Sequence, residues 1–493
     1  MCALRCLFLA RLLDFAVRPL LVNAAAEWQW TVQRGTPEQD LVSAMVLTQD
    51  NGVILAGSTD GELDGRTPTG SVDIYLMKFA SDGAWSWTTL RGSDEFDTVS
   101  AMVQNESSGD LFVAGHTSGD LSGSTNAGNR DVFLMKFSST GVWRWTQQRG
   151  SDKGDNSVEL DLSSVSSSGE LFLAGHTFGS LDGHTHAGNC DIFLMKFAAN
   201  GDWEWTEQRG TPECEQSNAL AVTPTGDAYI AGYTFGGLGG NDTHQGGCDV
   251  FLAKFSSNGT LLWTKQRGTS ACETANSMLL DSSGNVFLAG WTSGELDGEP
   301  NAGEDDVFLM KLTSEGEWLW TRTLGSAGSD KSYAMAFSPA GDIYIAGTTT
   351  GNLEANFVNQ GGQEDVFLAK FTSDGDWLYT RQRGSEASDS LVAMVTSPLE
   401  EIYLAGFTTG WLDGNSPLGE DDIFLMKFTD RDTTSTSSSS TSTSTSTTTS
   451  SSNSSSENTT TIDMDANNSR RSNGNGDSLL FFMLLCLSVL SCR

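Results

Sequence analysis

One seven-residue segment occurs seven times in the chain. DIYLMKF at 73–79 returns as DVFLMKF (131–137), DIFLMKF (191–197), DVFLAKF (249–255), DVFLMKL (306–312), DVFLAKF (365–371) and DIFLMKF (422–428). Two other segments keep step with it. An apolar stretch closing in Ala-Gly ends at Gly57, Gly115, Gly175, Gly232, Gly290, Gly347 and Gly406. Trp-x-Trp-Thr, or a near variant, starts at Trp28, Trp85, Trp143, Trp203, Leu261, Trp318 and Trp377. Successive Ala-Gly glycines lie 57 to 60 residues apart. A fixed period of that length commits a chain to units that bury their apolar faces against their neighbours.

Each unit reads as four strands. In the first, SAMVLTQ (43–49), GVILAGS (52–58), DIYLMKF (73–79) and AWSWTTLR (84–91) are rich in β-branched and aromatic residues, with turns such as Gln49-Asp50-Asn51-Gly52 between them. Four strands per unit, seven times over, predict an all-β fold: a seven-bladed β-propeller with four antiparallel strands per blade. A solenoid of the same units would need distinct capping repeats, and none is visible.

GDIYIAG (341–347), GQEDVFLAKF (362–371) and WTEQRG (205–210) resemble the segments of the seven-bladed β-propeller repeat family (SBBP-type repeats), and the resemblance runs over 27–429. It implies a propeller in extracellular or surface proteins and no particular reaction. It also implies a strand order, with Ser-x-Ala-Met innermost, then Ala-Gly, then the DhFLMKF strand, and Trp-x-Trp-Thr outermost. The seventh unit stops at Phe428 without an outer strand, while Trp28-x-Trp30-Thr31 opens the domain. The N-terminal strand is therefore expected to complete the last blade and tie the ring shut.

Charge follows the same division. Of 63 Asp+Glu and 28 Lys+Arg, the span 27–429 holds the entire excess of −35. Such a surface excludes nucleic acid and anionic membranes as partners, since both are held through Lys and Arg. Residues 1–26 read as a signal peptide, with an early Arg, apolar stretches and Ala24-Ala25-Ala26, although Arg11, Asp14 and Arg18 interrupt the apolar run. Residues 430–466 form a Ser/Thr-rich stalk suited to O-glycosylation. Residues 467–493 have the layout of a glycosylphosphatidylinositol signal, with attachment at Asn467, a polar spacer and the tail LLFFMLLCLSVL at 479–490. A short membrane-spanning tail is the alternative. The expected location is the outer side of the plasma membrane or the medium.

Residues repeated in every unit are expected to build the blade. The Asp opening each third strand is read as a turn cap or as a partner of the Lys five residues on, and the Trp pairs as fillers between blades. Function is expected on the long loops between second and third strands. There, Leu-Asp-Gly sets Asp64, Asp182, Asp297 and Asp413 at matched places, a weak candidate set for calcium. No other cofactor is implied. His184, His186, Cys190 and His244 are too few and too scattered for a zinc site.

Four cysteines fall in the domain. Cys190 and Cys248 precede the recurring Asp, and Cys214 and Cys272 sit four residues after an Arg-Gly glycine. The repeat favours the disulfides Cys190–Cys214 and Cys248–Cys272 over Cys214–Cys248 with two free thiols. Asn105, Asn241, Asn258, Asn453 and Asn458 begin glycosylation sequons. No catalytic motif is present, and no enzyme activity is expected. The expectation is a monomeric surface module binding a protein or glycan through its loop face. A propeller hydrolase or lyase acting on polysaccharide, and a calcium-stiffened structural protein, are the alternatives.

Overall fold

A computed structural model describes residues 27–162, 169–240, 244–354 and 363–430. They form seven four-stranded antiparallel sheets around a common axis. Blade 1 runs from Asp40 to Arg91, blade 2 from Asp97 to Arg149, blade 3 from Asp155 to Arg209 and blade 4 from Glu215 to Arg267. Blade 5 runs from Glu273 to Leu324 and blade 6 from Asp330 to Arg383. Blade 7 takes three strands from Asp389–Thr429 and its outermost from Glu27–Arg34. The strand order is the one expected. The closing strand pairs antiparallel with Asp422–Thr429, Trp30 opposite Lys427 and Arg34 opposite Ile423.

The core lies between blades rather than inside one. Seven apolar clusters each join two adjacent blades, as where Ile54, Ala56, Ile74 and Leu76 of blade 1 meet Val99, Val113, Phe133 and Met135 of blade 2. Second and third strands are covered on both faces and so read as unbroken apolar runs such as Ile-Tyr-Leu-Met rather than alternating. Each Leu, Ile or Phe fully buried there contributes about 1.5–3 kcal/mol. Among the first Trp of each pair, Trp85, Trp143, Trp203 and Trp377 are substantially exposed, while Trp87, Trp145, Trp205 and Trp263 pack against the clusters.

The recurring Ala-Gly glycine has a steric cause. A Cβ on Gly290 would run into the carbonyl oxygen of Thr274 on the innermost strand, and Gly57, Gly115 and Gly347 meet the same obstacle at Leu41, Thr98 and Lys331. Backbone cannot yield as a side chain can.

The recurring Asp is a turn cap. Asp131, Asp191, Asp249, Asp306 and Asp422 accept a hydrogen bond from the backbone N–H four residues earlier, at 2.6–3.0 Å. Its expected pairing with the Lys five residues on is not made, because the strand carries the two to opposite ends of the blade. The Lys pairs instead with an acid of the opposite, hairpin face: Lys78 with Asp50 at 2.7 Å, Lys136 with Asp110 at 2.9 Å, Lys427 with Glu401 at 2.7 Å.

Candidate functional site

The long loops and the connections between blades emerge on one face, the tight hairpins on the other. The four Leu-Asp-Gly carboxylates lie on the loop face, one to a blade junction, and do not converge. Each closes a clasp. Asp64, Asp182, Asp297 and Asp413 bind Arg34, Arg149, Arg267 and Arg383 of the preceding blade's outermost strand. Each also accepts from the Thr of its own Trp-x-Trp-Thr strand: Thr88, Thr206, Thr321 and Thr31. The Arg lies over the first Trp of the next blade, Arg149 being 4.1 Å from the Trp203 ring centre. Ser122 stands in for the Asp between blades 1 and 2, bonding Arg91 and Thr146. The Asp residues hold left-handed backbone, Asp182 at φ 49°, which Asn and Asp tolerate better than most side chains.

Among the described residues no three His, Cys, Asp or Glu side chains form a metal-binding group. With its four carboxylates engaged by Arg and Thr, the domain is expected to melt at the same temperature in chelator and in excess calcium. Asp182→Asn keeps the backbone preference but removes the charge, and should cost about 1 kcal/mol in urea unfolding. His184 bonds the carbonyl of Thr206, His186 faces Asp191 and His244 faces Asp249 one blade away, so these histidines do not gather either.

Cys190–Cys214 and Cys248–Cys272 are disulfides, with Cα atoms 4.4 and 4.3 Å apart. They staple blade 3 to blade 4 and blade 4 to blade 5. Every junction brings these two positions together in a parallel bridge or its hydrogen bond, occupied elsewhere by pairs such as Val72 and Phe96 or Asp305 and Ser329. The junction of blades 3 and 4 lacks the clasp: blade 4 has Leu238-Gly239-Gly240 where four other blades have Leu-Asp-Gly, and Arg209 turns to Glu207.

The residues that sequence reasoning missed line the central channel. Every innermost strand carries a register shift at one position. The bulged residues are Ser43, Ser100, Val158, Asn218, Asn276, Tyr333 and Val392. A bulge re-aims its side chain, and Ser43, Asn218, Asn276, Tyr333 and Val392 line a cavity of about 380 Å³ with Ser390 and Phe407. Deeper in, the Ala and Met positions bound a cavity of about 550 Å³. Asn218 donates to the carbonyl of Ala275 at 3.1 Å and Asn276 to that of Ser332 at 2.9 Å, tying three blades together inside the channel. The available signal was slight: this position changes from blade to blade, but so does the one two residues earlier, which runs from Leu41 to Lys331 and Ser390.

Around the mouth stand the residues following each Ala-Gly: Ser58, His116, His176, Tyr233, Trp291, Thr348 and Phe407. Burial holds the His116 and His176 imidazoles neutral and lowers both from 6.5 to about 4. Nearby Arg130 adds to the effect on His116. Their contribution to stability is complete above pH 6.5 and is lost as pH falls towards 4. Buried carboxylates such as Asp97 and Asp155 are raised, first by burial and then by a neighbouring Asp, so they act in the opposite sense as pH falls. The histidine part is isolated by difference. A His116→Gln/His176→Gln chain should gain roughly 2 kcal/mol or more on the wild type between pH 6.5 and 4 in urea titrations.

Asn105 and Asn258 lie in hairpin-face turns, away from the mouth. Asn241, Asn453, Asn458 and Asn467, and the spans expected to be a signal peptide (1–26), a stalk (past Asp430) and an anchor signal (467–493), lie outside the described residues.

The family comparison agrees on the propeller repeat. The SBBP Beta-propeller repeat family matches residues 319–354, an outermost strand followed by the first two strands of the next blade. The Regulatory protein FlaEY of Caulobacter vibrioides is 25% identical over 437 residues, covering 76% of this chain and 44% of that protein. The chain thus spans under half the length of that relative. Among solved structures, the Phage phi92 endosialidase is 10% identical with a TM-score of 0.44, covering 83% of this chain and 70% of its own. YCF48 bound to D1 peptide is 10% identical with a TM-score of 0.42, covering 82% and 96%.

Proposed function

We propose that the chain is a binding module, displayed outside the cell, that takes its ligand at the channel mouth on the loop face. The observation that carries this reading is the set of seven bulges, one per innermost strand, at which the residue type changes from blade to blade and five of whose residues line the channel cavity. Variation at matched places on a rigid scaffold is how binding surfaces are built. Two disulfides support an oxidising location. Lipid attachment at Asn467 belongs to the same proposal, tested by release of the chain from expressing cells with a phosphatidylinositol-specific phospholipase.

The site is tested by screening the tagged full chain on arrays of glycans and of surface-protein ectodomains. Binding should be abolished by Asn276→Ala/Tyr333→Ala and unchanged by Asp50→Ala on the hairpin face. The reverse pattern would overturn the assignment.

A further inference from the structure

We propose that the ligand of the channel mouth is a neutral saccharide whose rings lie on an aromatic arc formed by blades 3, 4 and 5. The inference rests on the mouth being the binding site and adds the chemistry of what binds.

The arc is visible against the repeat. Two places per blade face the mouth, one and three residues after the Ala-Gly glycine. Blade 3 fills them with His176 and Phe178, and blade 4 with Tyr233 and Phe235. Each pair meets edge to face with ring centres 5.7 Å apart. Blade 5 follows with Trp291. At the second place the other blades carry Asp60, Ser118, Ser293, Thr350 and Thr409, so the fold does not require an aromatic there. Phe178 and Phe235 are nonetheless 43% exposed. Two phenyl groups kept half in water at consecutive matched positions, where small polar residues suffice, are accounted for by a ligand that covers them.

The arc is also held still. The N–H of Phe235 donates to the carbonyl of Cys214 at 3.1 Å, and that of Ser293 to Cys272 at 3.0 Å. Both disulfides of the domain therefore sit beneath these blades, at their two junctions. A surface fixed before the ligand arrives loses less entropy on binding.

Phe407, the blade 7 counterpart of His176, Tyr233 and Trp291, lines the channel cavity together with groups that bond hydroxyls: the amides of Asn218 and Asn276, Ser43, Ser390 and the phenol of Tyr333. A sugar ring presents the matching pair of surfaces, an apolar C–H face and an equatorial rim of hydroxyls. Charge then selects the neutral sugars. The chain carries −35 overall, and Lys331 beside the arc is occupied, 3.2 Å from Asp305 and 4.7 Å above the Trp291 ring. A carboxylated or sulfated sugar would have to approach against that overall charge.

The full chain should be titrated, following tryptophan emission, with cellohexaose, xylohexaose and mannohexaose, and with oligogalacturonate and a heparin hexasaccharide. At least one neutral hexasaccharide is expected to bind and the two anionic ones not to. Phe178→Ala/Phe235→Ala should weaken binding roughly ten-fold or more and lower the melting temperature by no more than a few degrees, since both side chains are 43% exposed. Tighter binding of the anionic probes, no binding by any neutral hexasaccharide, or neutral binding that ignores the double substitution would each overturn the proposal. Should only a protein probe bind, with Asn276→Ala/Tyr333→Ala abolishing it, the saccharide would be refuted and the channel mouth retained as the site. Binding of any probe that survives both pairs of substitutions would refute both.

Discussion

A chain lacking Glu27–Arg34 is expected to lose the ring rather than one strand of it. That strand packs Trp28 against the core shared by blades 6 and 7, and Trp30 and Val32 against the core shared by blades 7 and 1. Trp28 meets Phe428 edge to face at 5.1 Å. Thr31 and Gln33 hold Asp413 and Asp422. Three partly buried large apolar side chains contribute about 5 kcal/mol together, comparable with the net stability of a whole domain. Deletion would also uncover the strand Asp422–Thr429, every residue of which is buried, and leave its backbone as an open edge. The expected result is loss of a cooperative urea transition and association in sedimentation velocity. The peptide EWQWTVQR added in trans should restore part of the transition by adding back the strand. A truncated chain that unfolds at the wild-type urea concentration would show that closure is not needed.

The second large effect should come from the disulfides. Each joins residues 24 apart in sequence, and closing a loop of that size stabilises a fold by about 3 kcal/mol in the chain-entropy treatment. Cys190→Ser/Cys214→Ser and Cys248→Ser/Cys272→Ser should each cost about that much. The first should cost more. The junction of blades 3 and 4 lacks the Arg–Asp clasp, whereas that of blades 4 and 5 keeps Arg267 on Asp297. Urea unfolding of the two double variants checks the order. Equal losses would mean that the clasp adds nothing where it coexists with a disulfide.

Fold and site differed in how far the sequence revealed them. Blade number, strand order and ring closure were legible because each strand type carries its own recurring residues, and the causes of that recurrence are local: a glycine facing a carbonyl, an Asp capping a turn. The cysteine pairing was legible for the same reason. Asp64, Asp182, Asp297 and Asp413 could be seen to matter, but their partner could not be seen, because the clasping Arg sits about 30 residues earlier on another blade. The Lys of the third strand misled in the opposite way. It lies five residues from the Asp in sequence, and the strand's length keeps them apart. The channel mouth was illegible because a bulge is a backbone event that leaves no mark in composition, and the side chains it exposes vary.

The closing strand has a mechanical consequence. The last described residue, Asp430, lies on the hairpin face, held by Lys370 at 2.8 Å and Tyr344 at 2.6 Å. Tension applied beyond it would load the strand Asp422–Thr429, which is flanked on one side by Glu401–Thr408 and on the other by Glu27–Arg34. Two hydrogen-bonded ladders must therefore give way before the chain can be drawn out, and the face that pulls is the one opposite the mouth. A ring completed by its own first strand can bear a load at its C-terminal end while the loop face points away from the line of force.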